Sequence, residues 1–87
     1  MFIVLAYDVG EKRVSKVLKT TKKYLTPIQR SLFQGFITES ELKRLKSELE
    51  ALIDKTDDSV VIYKLHDINS IVFEEIGVSK FQGNHIL

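Results

Sequence analysis

Residues 2–8, Phe-Ile-Val-Leu-Ala-Tyr-Asp, decide the fold of this 87-residue chain. Their first five side chains are all apolar, whereas a strand that exposes one face to water alternates apolar and polar residues. The segment Val60–Tyr63 is continuous in the same way. Two such strands predict a sheet that is covered on both of its faces.

The predicted helices cover only one face of that sheet. Apolar residues at helical spacing predict one helix over Glu11–Leu25 and a second that ends near Asp54. Thr38 and Glu41 form the capping-box pattern with which the second helix begins. A second copy of the chain is the simplest cover for the other face.

The remaining segments complete an α+β pattern. Ile28–Ile37 is predicted to be extended, either as one bent strand or as two short ones, and Ser59–Leu65 is predicted to be a strand. Ile71–Ile76 is predicted to be a short extra strand. This order predicts a ferredoxin-like domain, βαββαβ with an extra C-terminal strand, over residues 1–77. The apolar tail, residues 78–87, is expected to dock on the partner subunit.

Composition excludes several classes of protein. A chain of 87 residues forms one domain that buries roughly 60–65% of its unfolded surface. The absence of cysteine excludes a disulfide framework and a cysteine metal site. The first apolar run is too short for a signal peptide and has no basic flank before it, and no apolar run approaches the roughly 18 residues of a membrane span, so we expect a cytoplasmic protein without a signal peptide or a membrane partner.

The net charge of +1 conceals an asymmetry. Residues 1–30 contain seven Lys or Arg against two acidic residues, whereas residues 31–87 contain six against ten. Lysines of the first helix fall on one narrow stripe, opposite its apolar face, at about 100° per residue. This lysine stripe consists of Lys12, Lys16, Lys19 and Lys23. It favours a polyanionic partner, and a merely solvated helix face is the alternative.

Asp8 ends the first strand, immediately before the basic helix. A carboxylate beside a basic surface suits a divalent cation together with a phosphate. The alternative is that Asp8 only caps the helix that follows. His66 and His85 lie far along the sequence, so no general base is evident.

Together these features resemble the CRISPR-associated protein 2 family, small metal-dependent nucleases of prokaryotic adaptive immunity. The resemblance covers nearly the whole chain. Besides the basic helix, it rests on Tyr7-Asp8, Gln29–Gly35, Thr38 and Asp57–Tyr63. It implies a homodimer with the two sheets face to face, in which the end of each chain adds a strand to the partner's sheet. One Mg²⁺ or Mn²⁺ per dimer would be shared by two Asp8 side chains.

The resemblance also implies roles for individual residues. The expected catalytic residues are Asp8, Tyr7, Ser31 and Phe33. The expected nucleic-acid-binding residues are Lys12, Arg13, Lys16, Lys19, Lys23 and Arg30. Core packing is the alternative role for Tyr7 and Phe33, and an ordinary strand hydroxyl is the alternative for Ser31. Pro27 stands where family members often carry an arginine, so Arg30 is the residue of this segment expected to contact phosphate.

Three functions are compatible with this sequence. The first is a metal-dependent endonuclease acting on single-stranded RNA or double-stranded DNA. The second is a non-catalytic scaffold of spacer acquisition, since the resemblance implies that the dimer bridges subunits of the CRISPR integrase, CRISPR-associated protein 1, on duplex DNA. The third is a toxin-type ribonuclease from a related ferredoxin-like family. Asp8 is consistent with all three.

Overall fold

The structure, a computed structural model, describes residues 1–72 and 74–77. The strands are β1 (Phe2–Asp8), β2 (Thr26–Gln29), β3 (Leu32–Phe36) and β4 (Ser59–Leu65). The helices are α1 (Glu11–Lys22), α2 (Glu39–Leu52) and a short 3₁₀ helix (Ile68–Ser70). All strand pairs are antiparallel and the order in the sheet is β2-β3-β1-β4, which confirms the predicted ferredoxin-like α+β fold.

β1 lies inside the sheet because neighbours occupy both of its edges. It pairs with β3 over Phe2–Ala6 and with β4 over Phe2–Asp8. Side chains alternate between the two faces of a strand, and both faces of β1 carry apolar groups. The unbroken apolar run at the start of the sequence therefore belongs to a central strand, as predicted.

Both helices pack on one face of the sheet. The core between them and the sheet contains Ile3, Leu5, Tyr7, Val17, Phe33, Leu42, Leu45 and Leu49. Thr38 begins α2 as predicted, because its Oγ1 accepts a hydrogen bond from Glu41 N at 3.1 Å and Glu41 Oε1 accepts one from Thr38 N at 3.0 Å. Within the described residues, no helix is long and apolar enough to cross a membrane.

α1 ends three residues earlier than predicted, at Lys22 rather than Leu25. The N–H groups of Tyr24 and Leu25 both donate to the Thr21 carbonyl, which closes the helix in a turn. Leu25 then enters the core, with 5% of its surface exposed. A Cβ on Gly35 would lie 3.2 Å from Leu25 Cδ2, so the small residue at position 35 leaves room for this leucine.

The extended region Ile28–Ile37 contains the end of one strand and the whole of another. β2 and β3 form a hairpin whose pairing is irregular between Pro27 and Gln29. The predicted extra strand Ile71–Ile76 is not formed in the part of this region that is described, where residues 71–72 and 74–77 have no regular structure. Glu75 instead accepts a hydrogen bond from the Gln29 side chain. The tail, residues 78–87, lies outside the described residues.

No helix covers the second face of the sheet in the described part of the chain. We call this surface the open face. Pairing and alternation place Phe36, Val61 and Tyr63 there, next to Phe2 and Val4 of β1. Phe36, Val61 and Tyr63 are 67%, 45% and 59% exposed. A contiguous apolar patch of this kind marks an interaction surface.

Candidate functional site

Asp8 is exposed at the end of β1 while the backbone that carries it is held from both sides. Asp8 pairs with Ser59 of β4, and the preceding Tyr7 N–H donates to the Ser31 carbonyl at 3.1 Å. Alternation along β1 places the Asp8 side chain on the open face, with Val4 and Ala6. Among the described residues, its carboxylate makes no ion pair. A rigid strand therefore presents an unneutralised carboxylate.

Tyr7 and Phe33 lie on the other, helix-covered face. Their rings are stacked with centroids 5.6 Å apart, and 6% and 0% of their surfaces are exposed. The Tyr7 hydroxyl donates to the Arg30 carbonyl at 3.5 Å, and burial raises the pKa of Tyr7. Both rings pack in the core, which is the alternative role that the sequence offered for them, and their proposed part in catalysis stays a prediction. Ser31 is half-buried in the turn before β3.

Arg13, expected to bind phosphate, instead binds carboxylates of the chain itself. Its Nε donates to Asp58 Oδ2, and its Nη2 donates to Asp58 Oδ1 at 2.9 Å and to Asp57 Oδ2 at 3.3 Å. Such bidentate pairs of arginine and carboxylate are among the stronger hydrogen bonds in proteins. The guanidinium therefore serves the fold.

Asp58 connects several parts of the chain through one buried carboxylate, and we call this arrangement the Asp58 clamp. Besides Arg13, it accepts hydrogen bonds from Gly10 N and Asp54 N, each at 2.9 Å. The Arg13 guanidinium, assisted by these two backbone N–H groups, holds the pKa of the Asp58 carboxyl well below its usual range. Sequence reasoning missed this role, for which the only signal was an Asp pair just before β4.

The lysine stripe is only partly free. Its members Lys12, Lys16 and Lys19 are exposed, and none of them forms an ion pair within residues 1–72 and 74–77. Lys23 lies just beyond α1, and its ammonium pairs with Glu48 of α2. Glu48 also accepts a hydrogen bond from Tyr24, and these two donors lower the pKa of Glu48. Three of the four predicted lysines thus remain available for a polyanion.

Arg30 is also exposed, in the turn between β2 and β3. Its carbonyl accepts from the Tyr7 hydroxyl, and the next carbonyl, that of Ser31, accepts from Tyr7 N. The turn therefore lies beside the end of β1 that carries Asp8. Among the cationic residues predicted to bind nucleic acid, Arg30 is the one whose backbone these bonds tie to that strand end.

One described chain does not by itself provide a complete metal site. No group of three His, Cys, Asp or Glu side chains converges among the described residues. Asp8 supplies one hard oxygen ligand, and Mg²⁺ is commonly bound by one or two carboxylates together with several waters. The donor set fits Mg²⁺ or Mn²⁺ if two copies each contribute Asp8.

Comparisons with known proteins agree with this architecture. The sequence profile of a family described as CRISPR associated protein Cas2 matches residues 1–70. A CRISPR-associated endoribonuclease Cas2 from Dictyoglomus turgidum is 37% identical over 87 residues, covering 100% of both chains. The protein of the same name from Pyrococcus furiosus is 42% identical over 80 residues, covering 92% of each chain.

Solved structures show the same similarity. A crystal structure of Cas2 superposes with a TM-score of 0.86 at 31% identity and covers 100% of this chain and 98% of that one. The crystal structure of Streptococcus pyogenes Cas2 gives a TM-score of 0.79 at 29% identity, covering 88% of this chain and 100% of that one. The chain spans nearly the full length of these relatives.

Asp58→Asn is expected to make the free energy of unfolding less dependent on pH under acidic conditions. The pKa of Asp58 is lower in the folded chain than the value of about 3.9 of an unfolded aspartate. Its stabilising contribution is therefore complete above the unfolded pKa and is lost as the pH falls towards the folded pKa. Urea unfolding should show the wild type losing stability more steeply than the variant as the pH falls from about 4 to about 2.

Glu39→Gln, which removes an exposed carboxyl of α2, controls for the change in net charge. The same slope for Asp58→Asn and the wild type would contradict the assignment of the acid-sensitive contribution to the clamp.

Proposed function

This chain belongs to the CRISPR associated protein Cas2 family, and from this premise we propose that it is a homodimeric, metal-dependent endonuclease of CRISPR adaptation. The observation that carries the proposal is Asp8, an exposed carboxylate held at the end of the central strand. Relatives named endoribonucleases favour RNA as substrate, which we propose to be single-stranded, with double-stranded DNA as the second candidate. A cytoplasmic location remains a prediction from the sequence.

The open face supports the homodimer. Packing two copies through this face would bury Phe36, Val61 and Tyr63, and a fully buried large apolar side chain contributes about 1.5–3 kcal/mol. Asp8 lies on the same face as these residues. The contact that covers the apolar patch would therefore also supply the second carboxylate that one chain lacks.

In this dimer the two Asp8 side chains would hold Mg²⁺ or Mn²⁺, which when bound supplies Lewis-acid polarisation of a phosphodiester and a more acidic water. The backbone around Asp8 is held before substrate arrives, since Tyr7 N donates to the Ser31 carbonyl and Asp8 pairs with Ser59. Such preorganisation avoids a cost of ordering the site during the reaction. Arg30, exposed in the adjacent turn, is the proposed contact for the substrate phosphate.

A second function, a scaffold on duplex DNA, is favoured by the position of the free lysines. Lys12, Lys16 and Lys19 lie on α1, which packs on the helix-covered side of the sheet, whereas Asp8 belongs to the open face. Polyanion binding and Asp8 chemistry therefore use different surfaces. We propose that the dimer holds a duplex through these lysines while it bridges the CRISPR integrase, CRISPR-associated protein 1. Family membership gives the toxin-type ribonuclease no support.

Asp8→Asn is expected to reduce cleavage to the level measured without a divalent ion and to leave the fold intact. The variant keeps the size of the side chain but removes the anionic ligand. Cleavage of labelled single-stranded RNA and duplex DNA, with and without Mg²⁺, measures the effect. Glu11→Gln, which neutralises a nearby exposed acid, is the control. Unchanged cleavage by purified Asp8→Asn would refute the catalytic assignment.

The double variant Lys16→Glu/Lys19→Glu is expected to weaken binding to duplex DNA irrespective of its sequence. The log–log salt dependence should flatten by roughly 0.9 for each phosphate that the variant no longer neutralises. Lys43→Glu/Lys46→Glu on α2 is a matched control with the same charge change and spacing. Asp8→Asn should leave duplex affinity nearly unchanged. If both double variants bind like the wild type, the lysine stripe is only a solvated face.

Tyr63→Glu is expected to shift the protein from dimer to monomer, because it places a charge in the open face. Lys64→Gln, which lowers the net charge by the same amount, is the matched control, since the next residue of β4 points to the other side of the sheet. Sedimentation velocity at micromolar concentration measures both. A wild type that sediments as a monomer would rule out the proposed dimer.

A further inference from the structure

The Asp58 clamp begins two residues beyond Asp8. Asp58 Oδ1 accepts from Gly10 N at 2.9 Å, and Asp58 is followed by Ser59, the residue that pairs with Asp8. The chain from Asp8 to Gly10 and the chain from Asp58 to Ser59 are thus joined at both ends. This small closed ring fixes the direction in which the chain leaves β1.

The Arg13 guanidinium lies across Gly10 and completes the Asp58 clamp. Gly10 has φ −61°, which any residue can adopt, so its backbone conformation does not require glycine. A Cβ on Gly10 would, however, lie 2.7 Å from Arg13 Nη2 and 3.7 Å from Asp57 Oδ2. The absence of a side chain lets the guanidinium lie across the residue and reach Asp58.

We infer that Asp58 is a positioning residue for Asp8, acting through the Gly10 backbone and the Arg13 guanidinium. The inference rests on the proposed function, because it concerns how the Asp8 carboxylate is presented. Asp8 occupies the last position of β1, and the ends of strands open more readily than their centres. The clamp ties down the segment immediately after this last position and so limits the opening.

Asp57 provides a matched comparison within the chain. It is the same residue type, adjacent to Asp58, and touches the same guanidinium at 3.3 Å. Its side chain is 72% exposed, whereas that of Asp58 is 0% exposed and also receives the Gly10 and Asp54 N–H groups. Neutralising each residue in turn separates the loss of a charge near Arg13 from the loss of the clamp.

The experiment compares Asp58→Asn with Asp57→Asn in two measurements. Without a metal, hydrogen exchange of the Gly10 amide, followed by NMR, should be faster in Asp58→Asn only. In cleavage assays, Asp58→Asn should lower kcat by about 10-fold or more, the scale on which residues that orient a metal ligand act. KM should change little, because Arg30, the proposed contact for the substrate phosphate, is intact. Asp57→Asn should behave like the wild type.

Gly10→Ala covers the case in which Asp58→Asn does not fold. The added methyl presses on the Arg13 guanidinium without changing any charge. Loss of kcat with little change in KM is again the expected result. If Gly10→Ala keeps the wild-type kcat although its Arg13 and Asp58 signals show that the pair has separated, the inference is overturned.

Asp8→Asn, assayed in parallel, distinguishes the two possible failures. In one outcome Asp8→Asn is inactive, whereas Asp58→Asn is folded, exchanges its Gly10 amide faster than the wild type and keeps the wild-type kcat. Only the positioning role then fails. Equal losses in Asp57→Asn and Asp58→Asn would also overturn it, since a general charge effect would then explain both. If Asp8→Asn cleaves like the wild type, the proposed function fails and the positioning role fails with it.

Discussion

The pairing of β1 on both edges is the constraint on which the rest of this structure depends. Hydrogen bonds to β3 and β4 hold its whole length. The pairing therefore fixes which of its side chains lie under the helices and which lie on the open face. Ile3, Leu5 and Tyr7 build the core under the helices. Val4, Ala6 and Asp8 take the opposite face. One short strand thus supplies both the centre of the core and the candidate ligand of a metal.

A second principle is the division of the positive charges between the fold and the surface. Arg13 of α1 is bound by Asp58, and Lys23, just beyond α1, is bound by Glu48, so both cations link this region to parts of the chain that follow it. Lys12, Lys16 and Lys19 have no such partner among the described residues. The number of Lys and Arg residues in the first 30 positions is therefore larger than the number of cationic side chains available to a polyanion.

Local pattern was enough to predict much of the fold. The strand Ser59–Leu65 and the cap at Thr38 were predicted correctly, because periodicity and capping depend on neighbours in sequence. The end of α1 was not, since Leu25 leaves the helix to reach the core beside Gly35. Among the candidate site residues, Asp8 was proposed from its place at the strand end, and its role stays a prediction. The partners of Arg13 could not, because residues 45 positions apart meet only through the sheet.

The three tyrosines occupy three distinct environments in a chain that has no tryptophan. Tyr7 is buried against Phe33, the Tyr24 hydroxyl is hydrogen-bonded to Glu48, and Tyr63 stands 59% exposed on the open face. When the protein is excited at a wavelength that phenylalanine does not absorb, its ultraviolet emission arises from these three tyrosines, which lie in the core, at the junction of the helices and on the uncovered side of the sheet. Tyr63 is thus an intrinsic fluorophore on the face through which we propose that the chain associates.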